Sequence, residues 1–138
     1  MKPRNSFDKV ALIVVIICMV LCVAFFPFLS DTIAIQWSGR DVSNTANRLV
    51  IFVLPLLSLV LFLVRFPLFS VCLDKRGISV RKEKLISYIV LFVEILLLSS
   101  IVSIILFDVG IPVMVSSIII LEIIIGVIVG FKIMRKSA

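Results

Sequence analysis

The chain has 138 residues, 62% of them hydrophobic and 16% charged, with a formal charge of +6 and a mean hydropathy of +1.34. Soluble domains lie near ~45–50% apolar and ~25% charged, so this composition excludes an ordinary water-soluble domain and fits one membrane-embedded domain. The positive charge does not signal nucleic acid. A nucleic-acid face needs basic residues clustered on a soluble fold, whereas here they flank apolar runs, which is the membrane pattern.

The first apolar run, Val10–Leu29, follows a basic head, Met1–Lys9. It is longer than the ~7–15-residue core of a signal peptide, and no small-x-small cleavage site follows it. Ile17 and Leu21, before Cys18 and Cys22, are not the small residues of a lipoprotein site. The run reads as a retained first span over about residues 10–29, with Pro27 marking where regular helix gives way. Cys18 and Cys22 share a helix face, and Cys72 stands apart from them. Three cysteines without metal-ligand spacing make no disulfide framework, and they read as small apolar packing residues.

The polar stretch Asp31–Arg48 comes next and carries the only Trp. Between two apolar runs it reads as an exposed loop, residues 30–45, held at a membrane surface, with Gly39 as its turn residue. Within it and around it stand Pro27, Ile33, Ile35, Trp37, Gly39, Asp41, Arg48 and Leu54-Pro55-Leu56. This pattern, over roughly residues 10–65, resembles a bacterial domain of unknown function found at the N-terminus of the SdpI-like toxin-immunity membrane family. Where members often carry His before the Trp and Asn after it, this chain has Gln36 and Ser38. The resemblance implies a helical membrane protein that meets an extracellular peptide toxin, or holds a membrane partner that does. Gln36, Trp37, Gly39, Arg40 and Asp41 are then the contact candidates. Without it, Trp37 reads as an interfacial anchor.

Ser43 or Asn44 is the expected cap of the second span, residues 46–66. Its core, Leu49–Val64, is shorter than the ~20 residues a span needs. Arg48 and Arg65 are therefore expected to snorkel to the headgroups, with helix continuing past them. Pro55 lies inside this span and frees a carbonyl, which is tolerated where a neighbouring helix covers the break. A basic connection, residues 67–84, leads to a third span at 85–107. A turn at Asp108-Val-Gly-Ile-Pro112 leads to a fourth at 111–131. The expected fold is an all-α, integral membrane, four-transmembrane-helix bundle.

Lys and Arg fix the expected orientation. Lys2, Arg4 and Lys9, then Arg65, Lys75, Arg76, Arg81, Lys82 and Lys84, then Lys132, Arg135 and Lys136 fall on one side, against Arg40 and Arg48 on the other. The positive-inside rule puts both termini and the loop 67–84 in the cytoplasm of a cell-membrane protein, and the loop 30–45 outside.

Two carboxylates lie inside spans. Glu94 is ten residues after Lys84 and Glu122 ten before Lys132, so each stands ~15 Å from the cytoplasmic flank, about half the hydrocarbon thickness. Glu122, Gly126 and Gly130 share a stripe that favours close helix contact. The expectation is an intramembrane acid pair holding one shared proton, or both protonated. Its role is then either hydrogen-bonding glue or a proton or cation site. The intramembrane serines, Ser58, Ser87 and Ser100 among them, are expected to bond their own helical backbone. The chain has no His, no phosphate-binding Gly-rich loop and no visible catalytic set, so neither an enzyme nor a cofactor or metal site is expected. The functional expectation is a membrane protein of the immunity type. The alternative is a small proton- or cation-coupled transporter or ion-binding subunit using Glu94 and Glu122.

Overall fold

The computed structural model describes residues 6–38, 41–65, 80–111 and 114–136. Helix α1 (Ser6–Phe25) passes into a 3-10 turn (Phe26–Phe28) that contains Pro27. Strands β1 (Thr32–Ser38) and β2 (Asp41–Asn47) form an antiparallel hairpin. A 3-10 segment (Arg48–Phe52) opens α2 (Val53–Arg65), and α3 (Val80–Asp108) and α4 (Val115–Lys136) follow. Of the expected loop 67–84, residues 67–79 lie outside the described residues, as do Gly39, Arg40, Cys72 and Pro112, while residues 80–84 belong to α3, which begins at Val80 rather than at 85. Among the described residues, three stretches are long and apolar enough to cross a membrane: Ser6–Phe28, Arg48–Arg65 and Leu85–Asp108. Helix α4 is not among them within the described residues, so the expected fourth span does not stand on length and composition.

Helix α3 is the hub, packing against α1, α2, α4 and β1. Because α1 is apolar on every side, hydrophobicity alone does not reveal its inner face. Its buried residues Asp8, Ala11, Val15, Cys18 and Cys22 recur at alternating steps of three and four. Pro55, Ser58, Phe62 and Arg65 of α2 repeat that spacing, as do Ser87, Leu91, Glu94, Ile101 and Ile105 of α3 when half-buried Leu98 is included. Such seams pack at the shallow crossing angles of left-handed bundles. Small and polar residues on them let membrane helices approach closely and bond to one another.

The seams meet in layers. At the end away from the hairpin, Arg65 Nη2 lies 3.3 Å from Asp8 Oδ1 and donates to Ser87 Oγ, with Asp8 and Arg65 both buried. Arg65 therefore does not snorkel, because an acid on α1 and a hydroxyl on α3 meet it inside the bundle. In the middle layer the Ser58 hydroxyl donates to the Glu94 carboxyl, with Cys18 within hydrogen-bonding reach of Ser58. In the third layer the Cys22 thiol donates to the Ile51 carbonyl at 3.7 Å. Pro55 has no N–H to bond that carbonyl four residues back. The neighbouring helix thus covers the proline break, as expected, and a cysteine supplies the donor. Ser100 bonds its own helix through Leu96 O at 2.8 Å. Ser58, expected to do the same, instead bonds Glu94 on another helix, and Ser87 accepts from Arg65 across the bundle.

The second span starts differently from expectation. Asn47, not Ser43 or Asn44, caps it, its side chain accepting from Leu49 N at 3.0 Å. Ser43 and Asn44 lie in β2. The five 3-10 residues rise ~2.0 Å each and the 13 α-helical ones 1.5 Å each. The 18-residue stretch Arg48–Arg65 thereby reaches about 30 Å, the hydrocarbon thickness, without helix before Arg48. At the other end of the bundle's long helix, Gly110 at φ +83° closes α3. Ile111 N bonds Leu106 O and Gly110 N bonds Phe107 O, the paired bonds of a Schellman motif, which needs a left-handed residue.

Candidate functional site

The polar stretch expected as a loop is a hairpin, and the reason is legible at residue level. Thr32, Ile33 and Ile35 are β-branched, and Ile33, Ile35 and Trp37 alternate with other residues, which is the strand period. Thr32 pairs with Asn47, Ala34 with Thr45, Gln36 with Asn44 and Ser38 with Asp41. The register skips Ile35 on β1 and Ser43 on β2. Bulges re-aim side chains, and Gln36 consequently joins Ile35 and Trp37 along one cavity wall, which strict alternation would forbid.

A lone two-stranded hairpin is marginal in water, so its attachments matter. Ile33 is fully buried and Ala34 nearly so. Arg48 N donates to Asp31 O at 3.0 Å, and the Arg48 guanidinium lies 3.6 Å from Asp31 Oδ1 and 5.0 Å over the Phe26 ring. Ser30 N donates to Asp108 Oδ2 at 2.8 Å, tying the approach to β1 to the end of α3. Trp37 packs edge-on against Phe107 of α3, with ring centroids 5.7 Å apart.

Beneath β1 lies a cavity of about 410 Å³, within the ~300–1,000 Å³ of small-ligand sites. Ile33, Ile35, Gln36 and Trp37 form the hairpin wall. Val50, Ile51, Val53 and Leu54 form the wall at the entry to α2, with Ser100 and Ile104 of α3 and Val115 and Ile119 of α4 opposite. The lining is mostly apolar, with Gln36 and Ser100 as its polar side chains, and the buried Trp37 Nε1–H has no acceptor among the described residues. Asp41 is exposed beside the hairpin turn, away from the cavity lining; Gly39 and Arg40 lie outside the described residues.

The two intramembrane acids go to different places. Glu94 is fully buried and faces Ser58. Glu122 lines a groove with Tyr88, Phe92 and Ile95 of α3, residues about 100–160° around that helix from Glu94 at 3.6 residues per turn. Neither carboxyl bonds the other, and Glu94 Oε1 and Glu122 Oε2 each lack a hydrogen-bond partner among the described residues. The geometry is that of separate acid sites rather than one shared proton. The glycine stripe does make close contact, as expected. A Cβ at Gly126 would run into the Phe92 ring, and one at Gly130 would lie 3.2 Å from the Tyr88 ring. The Tyr88 hydroxyl donates to Gly126 O at 2.6 Å. Sequence reasoning missed the Asp8–Arg65–Ser87 layer. Its signal was an acid just before one span and a base at the end of the next.

Residues 13–59 match a family model described as a domain of unknown function (DUF1648). The matched stretch runs from α1 through the hairpin into α2, so it holds two walls of the cavity and the residues on which the sequence resemblance rests. No curated protein and no solved structure matches the chain.

Proposed function

We propose that the chain is a multi-pass membrane protein of the toxin-immunity type, and a binding protein rather than an enzyme. In this reading α4 is a fourth span, both termini are cytoplasmic and the hairpin faces outward. An extracellular peptide toxin, or a membrane partner that engages one, places an apolar segment in the cavity beneath β1. Trp37 packs its ring against that segment, and Gln36 and Asp41 meet its polar flanks. The observation that supports this reading is the cavity itself, walled by Ile33, Ile35, Gln36 and Trp37 under a pinned hairpin. A toxin-challenge assay on cells with and without the gene tests it. Gln36→Ala, Trp37→Ala and Asp41→Ala should lower protection at unchanged membrane abundance, while Glu94→Gln should protect like the parent.

The second reading, an ion-coupled transporter or ion-binding subunit, draws its support from Glu94, fully buried with one carboxyl oxygen unbonded among the described residues. Harmless hairpin changes with a ruinous Glu94→Gln would favour it.

A further inference from the structure

The cavity beneath β1 has a mouth as well as walls. Ile33, Ile51, Ile104 and Val115 form its buried floor, whereas Ile35, Val50 and Val53 of the same lining are exposed. Leu57, one turn along α2, and Ile118, beside Ile119 on α4, are exposed too, so the mouth runs into the apolar outer surface of the bundle. Helix α4 packs along α3, and among the described residues no seam of comparable extent joins it to α2. The opening therefore lies on the flank of the bundle, between α2 and α4. Ser100 stands eight residues before Asp108, ~12 Å down α3 from the hairpin end. That depth is within the ~15 Å that one leaflet contributes to the hydrocarbon.

We propose that one acyl chain of a phospholipid, from the leaflet on the hairpin side, enters between α2 and α4 and fills this cavity. The lining and the surroundings select that occupant. A buried water needs about 2–4 polar partners, and the lining side chains offer Gln36 and Ser100, of which Ser100 already donates to Leu96 O. Left empty, the walls forfeit the dispersion contacts of a packed interior. A hydrocarbon chain asks for no hydrogen bond, fits a volume of about 410 Å³, and is what lies against the flank of a bilayer-embedded bundle. Gln36, exposed on the hairpin, stands at the end where the ester groups of the lipid remain. The inference goes beyond the toxin-immunity reading and does not need it, since the acyl chain fills the cavity whether or not a toxin segment displaces it.

The test uses the full chain, washed free of phospholipid, in digitonin micelles, whose steroid body brings no alkyl chain to compete. The probe is a phosphatidylcholine with one dibrominated acyl chain, because bromine quenches tryptophan on contact. Trp37 is the only Trp and lines the cavity, so it reports a chain inside. Quenching should saturate at about one lipid per protein and be reversed by the unbrominated lipid. Val53→Phe, at the exposed mouth where no core residue is disturbed, and Ser100→Leu, on the inner wall, should each weaken the lipid about tenfold or more. Val102→Phe, in the separate groove with Leu21 and Phe25, should leave binding unchanged. Tryptophan emission before lipid is added reports that each variant keeps its fold. Quenching that rises linearly with lipid fraction, folded Val53→Phe and Ser100→Leu proteins quenched like the parent, or an equal loss with Val102→Phe would overturn the proposal. No toxin enters the measurement, so its failure and that of the immunity reading are told apart.

Discussion

The Asp8–Arg65 pair offers a sharp test of how this bundle is held together. The guanidinium lies 3.3 Å from Asp8 Oδ1 and also bonds Ser87, and both members of the pair are only 3% exposed. Asp8→Ala leaves a buried cation with the Ser87 hydroxyl as its remaining partner among the described residues. Breaking one side of a buried pair costs about 3–5 kcal/mol, whereas replacing both sides by apolar residues of similar volume is often neutral or better. The double variant Asp8→Leu/Arg65→Met should therefore lie within about 1 kcal/mol of the parent, giving a coupling energy far above that of independent sites. Stability would be read by titrating micelle-solubilised protein with a denaturing detergent and following fluorescence of the single Trp. Trp37 lies at the hairpin end, so its signal reports the whole bundle rather than the altered layer. If Arg65 instead reached the headgroups, Asp8→Ala would cost no more than an exposed pair, about 1 kcal/mol or less. That small loss, or a double variant as unstable as the single one, would refute the buried-layer account.

Gly126→Ala would push a Cβ into the Phe92 ring and should cost about 1–3 kcal/mol in the same detergent titration, the usual penalty for overpacking. A partial release should come from Gly126→Ala/Phe92→Leu. Cys22→Val removes the donor to Ile51 O and should destabilise by about 1–3 kcal/mol, since the carbonyl is left unsatisfied beside Pro55; Cys22→Ser should cost less. For the topology, after the native cysteines are removed, an impermeant thiol reagent applied to intact cells should label a cysteine placed at Ser38 and not one placed at Ser79. The reverse pattern would invert the charge-based orientation. In the toxin-challenge assay, protection should fall most for Trp37→Ala, which removes a cavity wall, and unchanged protection would remove the cavity from the proposal.

What the amino-acid order settled by itself is the environment and the punctuation. Hydropathy marks the membrane-embedded class because apolar runs of this length match the hydrocarbon thickness of a bilayer. Pro27 and Gly110 end their helices because one lacks an N–H and the other can take a positive φ. The glycine stripe of α4 announces a close contact before its partner is known. The hairpin was within reach too, since Ile33, Ile35 and Trp37 keep the strand period, but the polar composition around them argued for a loop. Tertiary structure alone decided the rest. A helix that is apolar all round has no sequence-level inner face, so only packing selects the Asp8-Ala11-Val15-Cys18-Cys22 seam. Depth along the membrane is one coordinate and rotation about the helix another. Glu94 and Glu122 were expected at the same depth, yet they face different neighbours, because a helix turns 100° with every residue. Arg65 is the plainest case. Its position at the end of a span reads as a snorkelling cation, and only the arrival of Asp8 and Ser87 from two other helices turns it inward.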